Sequence, residues 1–547
     1  MPTDKILCGL FMLFFTQLGM AQSPVYTRDD TLRGCITPQR DWWDLTFYKL
    51  KVKVNPADKS IYGCNEIRYK VLNPGKFLQI DLQPPLQIER AEQDGQALGV
   101  KKQGRNAYFI ELNKAQPKAS LQSITIWYSG IPQAARNAPW DGGFSWKVDE
   151  QGLTFAATSC QGLGASIWWP CKDHMYDEPD SQAIFVTVPN NLTDISNGRL
   201  RQVVENDDGT HTFEWFVSNP INNYGVNVNI ANYTHFSDTL HGENGLLTLD
   251  YYVLPKNLEK AKVQFQQAKL MLRALEYWFG PYPFYEDGYK LVEVPYLGME
   301  HQSSVTYGNY YSNGYLGRDL SGTGWGLKWD YIIIHESAHE WFANNITYRD
   351  IADMWVHESF ASYSEGIYTE YHFGKKAGAA YIRGCRASIQ NKAPIVGSYG
   401  VNAQGSEDMY PKGSNMLHTI RQIIDDDVQW RSILRGLNHD FYHQTVYGSQ
   451  VEDYITLHSG KKLDKVFDQY LRHTEIPVLE YQIKGHKLKY RWTNCIAGFD
   501  MPVKVTLSPG KFKFVYPATK WKSSRCVLPN KDDFQVEENF YVRANRV

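Results

Sequence analysis

Cysteine is scarce, with eight in 547 residues. Cys8 falls in the first stretch of the chain. The other seven (Cys35, Cys64, Cys160, Cys171, Cys385, Cys495 and Cys526) are too scattered for a zinc ribbon or a disulfide-dense scaffold. An excess of either charge is also missing. The 57 Lys and Arg stand against 59 Asp and Glu, and no basic run stands out, so bulk charge offers nothing to a nucleic acid. After the opening residues no apolar stretch reaches the ~20 residues a membrane span wants. Internal repeats and low-complexity segments are absent too. What is present is the composition of a folded protein, 43% apolar and 21% charged. The length exceeds one core, and about three domains are expected.

The opening "MPTDKILCGLFMLFFTQLGMAQSP" places a lysine before a short apolar run and ends that run in Gly19-Met-Ala21. This is a signal-peptide pattern (residues 1–21) with cleavage expected after Ala21. The run from Ile6 to Ala21 is short for a membrane anchor, so the expected product is an exported protein, periplasmic or secreted, with no stable membrane insertion. Of the seven cysteines that remain, Cys495 and Cys526 are the expected disulfide pair, since both lie in the last domain and an oxidising compartment permits the bond.

From about Arg40 to Thr239 the chain reads as strands. In "YKLKVKV", Leu50, Val52 and Val54 alternate with Lys49, Lys51 and Lys53, a period of two with one solvated face. "NPADKS" then supplies a turn before "EIRYKV", and "FLQIDL", "AYFIEL" and "SITIWY" follow at similar length. Near Leu254 the period changes. Phe265, Ala268, Leu272, Leu275 and Phe279 recur at steps of three and four, which marks one face of a helix that Gly280-Pro281 ends. Helical text continues to about Thr474. "LEYQIKGHKLKYRW" then reads as a hairpin, with Leu479, Tyr481 and Ile483 facing Leu488, Tyr490 and Trp492. The expected domains are 22–245, all β; 246–474, mainly helical with a small sheet; and 475–547, a small β-sandwich.

The chemistry is concentrated in "HESAHEWFANNITYRDIADMWVHESFASYSE", residues 335–365. "WDYIIIHESAHEWFANN" lacks Pro and Gly and is expected to be a helix. His335 and His339 are then i and i+4, one turn apart on one side, a spacing that lets two imidazoles reach one ion at ~2.0–2.1 Å. Glu336 lies beside the first ligand, where a general base for a metal-activated water must stand. A second helix follows, with Glu358 near its start, and if the helices pack together it completes a His-His-Glu set with a fourth position open. Glu365, seven residues on, either holds a ligand histidine or is an ordinary solvated or salt-bridged acid. At this histidine frequency His-Glu-x-x-His arises by chance in ~2% of such chains, and with Glu358 at one fixed spacing in ~0.1%. A metal site is therefore favoured over two helices that happen to repeat letters.

This motif, with "SFASYSE" after Glu358, resembles the zinc aminopeptidases of the aminopeptidase N and leukotriene hydrolase family. "PYLGMEHQSS" is similar to that family's Gly-Ala-Met-Glu-Asn exopeptidase motif. "SCQGLGASIWWPCKDH" with "DEPDSQAIFVTVP" resembles its N-terminal segment, and "MYPKGSNMLHTI" its Tyr-x-Lys-Gly helix. The resemblance runs from about Arg40 to Thr474. It implies a thermolysin-like catalytic domain with one Zn²⁺ per chain on His335, His339 and Glu358. It implies Glu336 as base and Tyr410 as donor to the developing oxyanion. Glu300 would bind the substrate's α-amine, with Gln161, Gly298 and Met299 beside it. The substrates implied are peptides with a free N-terminus. Leu297 and Gly298 depart from the usual Gly-Ala, His301 from Asn, and His357 and Ser359 from the Asn and Gly flanking the third ligand; these bear on pocket shape more than on the reaction. The competing expectations are a zinc endopeptidase and a catalytically inactive peptide-binding homologue.

Overall fold

A computed structural model of the chain describes residues 25–547. The signal-peptide reading and Cys8 lie outside the described residues. The first element is a short helix, α1 (Arg28–Gly34), capped by Thr27. An eight-stranded sheet follows, with β1 (Trp43–Asn55) near its centre. Leu50, Val52 and Val54 are buried while their lysine neighbours are not, so the alternation of the text is the alternation of the pleat. The "NPADKS" turn brings back β2 (Ser60–Val71) antiparallel, β3 (Leu121–Gly130) extends the sheet beyond it, and β4 (Ser181–Pro189) joins β1 on its other side in parallel.

A second sheet begins at β5 (Thr234–Gly242), which turns tightly into β6 (Gly245–Val253). It continues through β7 (Tyr289–Glu293), β8 (Gly298–Met299) and β9 (Val305–Tyr307), in the order β5-β6-β7-β9-β8. The expected boundary at residue 245 falls inside the β5–β6 hairpin, whose two strands enter this sheet together. Helix α2 (Gln266–Phe279) buries Ala268, Leu272, Leu275 and Phe279 and stops at Gly280, φ 96°. Helices α3 (Tyr331–Ala338) and α4 (Trp355–Phe373) pack on it and on each other, and α5 (Pro411–Ile424) packs on α4.

At the C-terminus β10 (Val478–Lys484) and β11 (Lys487–Thr493) pair with Leu479 opposite Trp492, Tyr481 opposite Tyr490 and Ile483 opposite Leu488, the facing sets read from the text. They belong to a four-stranded sheet beside a two-stranded ribbon. This sheet's core is continuous with that of the helical region. The expected Cys495–Cys526 disulfide is not formed, and all seven cysteines among the described residues are free thiols. Cys526 N–H donates to the carbonyl of His486 at the start of β11, whereas Cys495 follows the end of β11. Seven strand residues at about 3.3 Å each keep them roughly 20 Å apart, far beyond disulfide reach.

Candidate active site

Helix α3 starts on Asp330, whose carboxylate accepts the Ile332 N–H. His335 and His339 face the same side, but the helix expected through Asn345 breaks at Phe342 (φ −126°, ψ 78°) and Ala343. The break has a use. It frees the Phe342 carbonyl, which accepts the His339 Nδ1–H at 3.0 Å. His335 Nδ1–H is held in the same manner by Glu365 Oε1 at 2.7 Å, and Glu365 is itself fixed by the Tyr381 hydroxyl. Each bond sets the tautomer and leaves Nε2 as the free lone pair. Of the two readings of Glu365, the structure places it against the histidine.

Glu358 enters from the first turn of α4. Its Oε2 lies 3.6 Å from His335 Nε2 and 3.4 Å from His339 Nε2. Ligands at ~2.0–2.1 Å from one tetrahedral ion stand ~3.3–3.5 Å apart, so the three atoms have the span of three corners around a zinc-sized ion. Glu358 Oε2 is buried without a hydrogen-bond partner, an orphan a cation would satisfy. Burial opposes ionisation of Glu358, but the two imidazoles outweigh it and hold the carboxyl below its ordinary range. The donor set therefore fits a divalent metal. His357 faces elsewhere: its Nε2 accepts the Tyr348 N–H at 2.9 Å and its ring stacks on Tyr348.

Glu336 and Glu300 stand beside this triad, and with His339 they offer atoms within 4.8 Å of one another. Burial pushes Glu336 up to about 7, and burial raises Glu300 as well. Glu300 Oε1 accepts from Gln161 Nε2 at 2.7 Å and from the Tyr224 hydroxyl at 3.1 Å, and the Gln161 amide also donates to Glu358 Oε1 at 2.8 Å. Asn344, freed by the helix break, donates to the Glu300 carbonyl. No lysine or arginine among the described residues pairs with the Glu300 carboxylate. Tyr410 caps the start of α5 with its ring 6.1 Å from that of His335. Burial, then the negative Glu358, raises its phenol, which keeps the hydroxyl a proton donor. Tyr224 had no role in the sequence reading, because no spacing links it to the motif, and Asn344, inside the motif stretch, had none because the helix was expected to run through it.

Strand alternation divides the exopeptidase-like stretch. Gly298 and Glu300 face α3, and a Cβ at Gly298 would sit 2.7 Å from Ile332 Cγ2 and 3.3 Å from Glu336 Cγ. The Ile332 methyl occupies the space an alanine would use, which accounts for this departure. Met299 points the other way into the N-terminal core, 3% exposed, as the period of the strand dictates. Ser359 donates to the Met409 carbonyl at 2.7 Å, next to Tyr410.

Residues 45–224 match the peptidase M1 N-terminal domain and residues 264–470 the peptidase family M1 domain. Probable aminopeptidase 2 of Sulfurisphaera tokodaii is 23% identical, over 69% of this chain and 51% of that protein. Aminopeptidase N of Lactobacillus helveticus is 23% identical over 79% and 51% respectively. The chain thus spans about half the length of these curated relatives. The crystal structure of an M1 zinc metallopeptidase from Deinococcus radiodurans superposes with a TM-score of 0.67 at 20% identity, covering 80% of this chain and 95% of that one. With both family domains matched in order and the same fold in that crystal structure, the chain belongs to peptidase family M1.

Proposed function

We propose that this chain is an exported, zinc-dependent aminopeptidase that hydrolyses the first peptide bond of peptides with a free α-amine. The observation that carries the reading is Glu300. It is a carboxylate 2% exposed, held by neutral donors and left without a cation of its own. A buried carboxylate is costly until a positive group meets it, and a substrate ammonium does so by a charge-assisted hydrogen bond. Its place within one small cluster with Glu336 and His339 sets the amine one residue from the bond to be cut.

His335, His339 and Glu358 would hold the zinc, which when bound supplies Lewis acidity and lowers the pKa of water to ~7. Glu336 takes the proton of the attacking water and passes it to the leaving amine, a task suited to a group near neutrality. The Tyr410 hydroxyl donates to the oxyanion that forms on the scissile carbonyl. Gln161 and Tyr224 fix the Glu300 oxygen, so the substrate is held by one end and the chain is cut one residue at a time. The leader supports export, and N-terminal sequencing of the mature protein checks it.

Activity should vanish with a chelator and return with zinc, and N-acetylated peptides should be poor substrates beside their free counterparts. Equal cleavage of the two would make the protein an endopeptidase.

A further inference from the structure

Gln161 opens a tight turn, Gln161–Gly164, in which Leu163 N–H donates to the Gln161 carbonyl and Gly164 N–H to that of Cys160. Gly162 (φ 75°) and Gly164 (φ 85°) take the left-handed conformations that make it so short. Three side chains grip the turn's carbonyls. Arg33 Nη2 donates to the carbonyl of Leu163 and reaches that of Gly162 at 3.4 Å, Asn402 donates to Gly162 at 3.2 Å, and Gln83 donates to Leu163 at 2.7 Å. Arg33 is the one charged donor among them, and its Nη1 stands 3.6 Å from Asp173. A Cβ built on Gly164 would meet Asp173 Oδ2 at 2.3 Å and Arg33 Nη2 at 2.5 Å, so the ion pair leaves no room for a side chain at this point of the turn.

Arg33 is well held. Arg40 donates to the carbonyls of Arg33 and Cys35 and is paired at 2.6 Å with Asp81, both buried. Gly34 lies so close to Val401 and Asn402 that a side chain there would collide with their backbone. Residues 25–40 precede residue 45, where the match to the family's N-terminal domain begins.

We propose that Arg33 is a positioning residue for amine recognition: it clamps the Gln161–Gly164 turn so that Gln161 holds Glu300 toward the substrate ammonium. This deepens the aminopeptidase reading and rests on it. The guanidinium fork suits the task because it spans two carbonyls and a carboxylate at once, which an ammonium does not. Gln161 bonds two carboxylates through one nitrogen, so a shift of the turn by about 1 Å breaks at least one bond and costs alignment of the amine.

The test is steady-state kinetics on an aminoacyl substrate with a free amine, with zinc content measured in parallel. Arg33→Met is expected to raise KM about tenfold while kcat stays within about twofold, the cost of one charge-assisted hydrogen bond. Zinc content should not change. In a Gln161→Met background the same change should raise KM no further, because both act through one path; a loss of general stability would add. Asn402→Ala, which removes only a bond to Gly162, should raise KM about two- to threefold and serves if Arg33→Met does not fold. An unchanged KM in these variants, or a rise that adds fully to that of Gln161→Met, overturns the role of Arg33. A wild-type chain that cleaves free and acetylated peptides alike overturns the aminopeptidase reading, and this inference with it.

Discussion

Glu336 follows the first histidine directly, and Glu358 comes after the second with eighteen residues between them. Both sit in "His-Glu-Ser", yet their surroundings divide them. Glu358 is held ionised against two imidazoles, while Glu336, lifted by burial, can take and return a proton. Replacing Glu336 with Gln should cut turnover by about 10²–10⁴-fold with zinc content unchanged by elemental analysis; unaltered turnover would remove Glu336 from the base role. Tyr410→Phe keeps the ring and loses the donor, and should lower kcat by about 10²–10³-fold with little change in melting temperature. Glu365→Gln weakens the grip on His335, and a chelator titration should show metal affinity lower by about 10–100-fold. The positions of His335, His339 and Glu358 were legible because helical period alone brings the first two together. The hold of Tyr224 on Glu300 was not, since it lies 76 residues away, and Gln161, 139 residues away, was reached only through the family resemblance.

At the level of elements, the contact of α4 with α5 joins Glu358, the proposed third metal ligand, to Tyr410. A Cβ at Gly413 would lie 1.9 Å from Ser359 Oγ, so this glycine is required by close approach, not by its backbone angles. Gly413→Ala should destabilise the protein by about 1–3 kcal/mol, read as a lower melting temperature. Adding Ser359→Gly should recover most of the loss, since the colliding atom is gone; no recovery would place the strain elsewhere. Elements with a clear period (β1, α2, the β10–β11 hairpin) were legible because burial on one face writes itself into the text. The break at Phe342 was not, because the sequence there still favours helix. Its stabilisation comes from the bond between the Phe342 carbonyl and His339, and from Asn344 reaching Glu300.

Across the whole molecule, the active site is assembled at a seam. The N-terminal domain brings Gln161 and Tyr224, and the catalytic domain brings Glu336, Glu300, Tyr410 and the proposed metal ligands. The N-terminal segment is docked nearby through His174, whose Nε2–H donates to the Gly34 carbonyl at 3.0 Å. Burial, with Arg40, Lys172 and Arg349 nearby, pushes His174 down to about 3. The unfolded chain takes up that proton near its ordinary ~6.5. The neutral ring's contribution is thus complete above ~6.5 and is lost as pH falls toward 3. His174→Gln keeps a donor without the titration, so its melting temperature should fall less steeply than that of the wild type between pH 7 and 4. Parallel slopes would exclude His174 as a source of acid sensitivity.

The sequence by itself determined the features that depend on neighbours along the chain. These are the alternation of the strands, the stripe of α2, the facing sets of the last hairpin and the two histidines a turn apart. Only the tertiary structure decided which distant groups surround that pair. It turned Met299 into the core while Glu300 stayed in the site, kept Cys495 from Cys526, drew Gln161 and Tyr224 onto one carboxylate, and set Arg33 on the turn that carries Gln161. The reason is physical: periodicity records which face of an element is buried, but not which of many apolar or polar partners it is buried against.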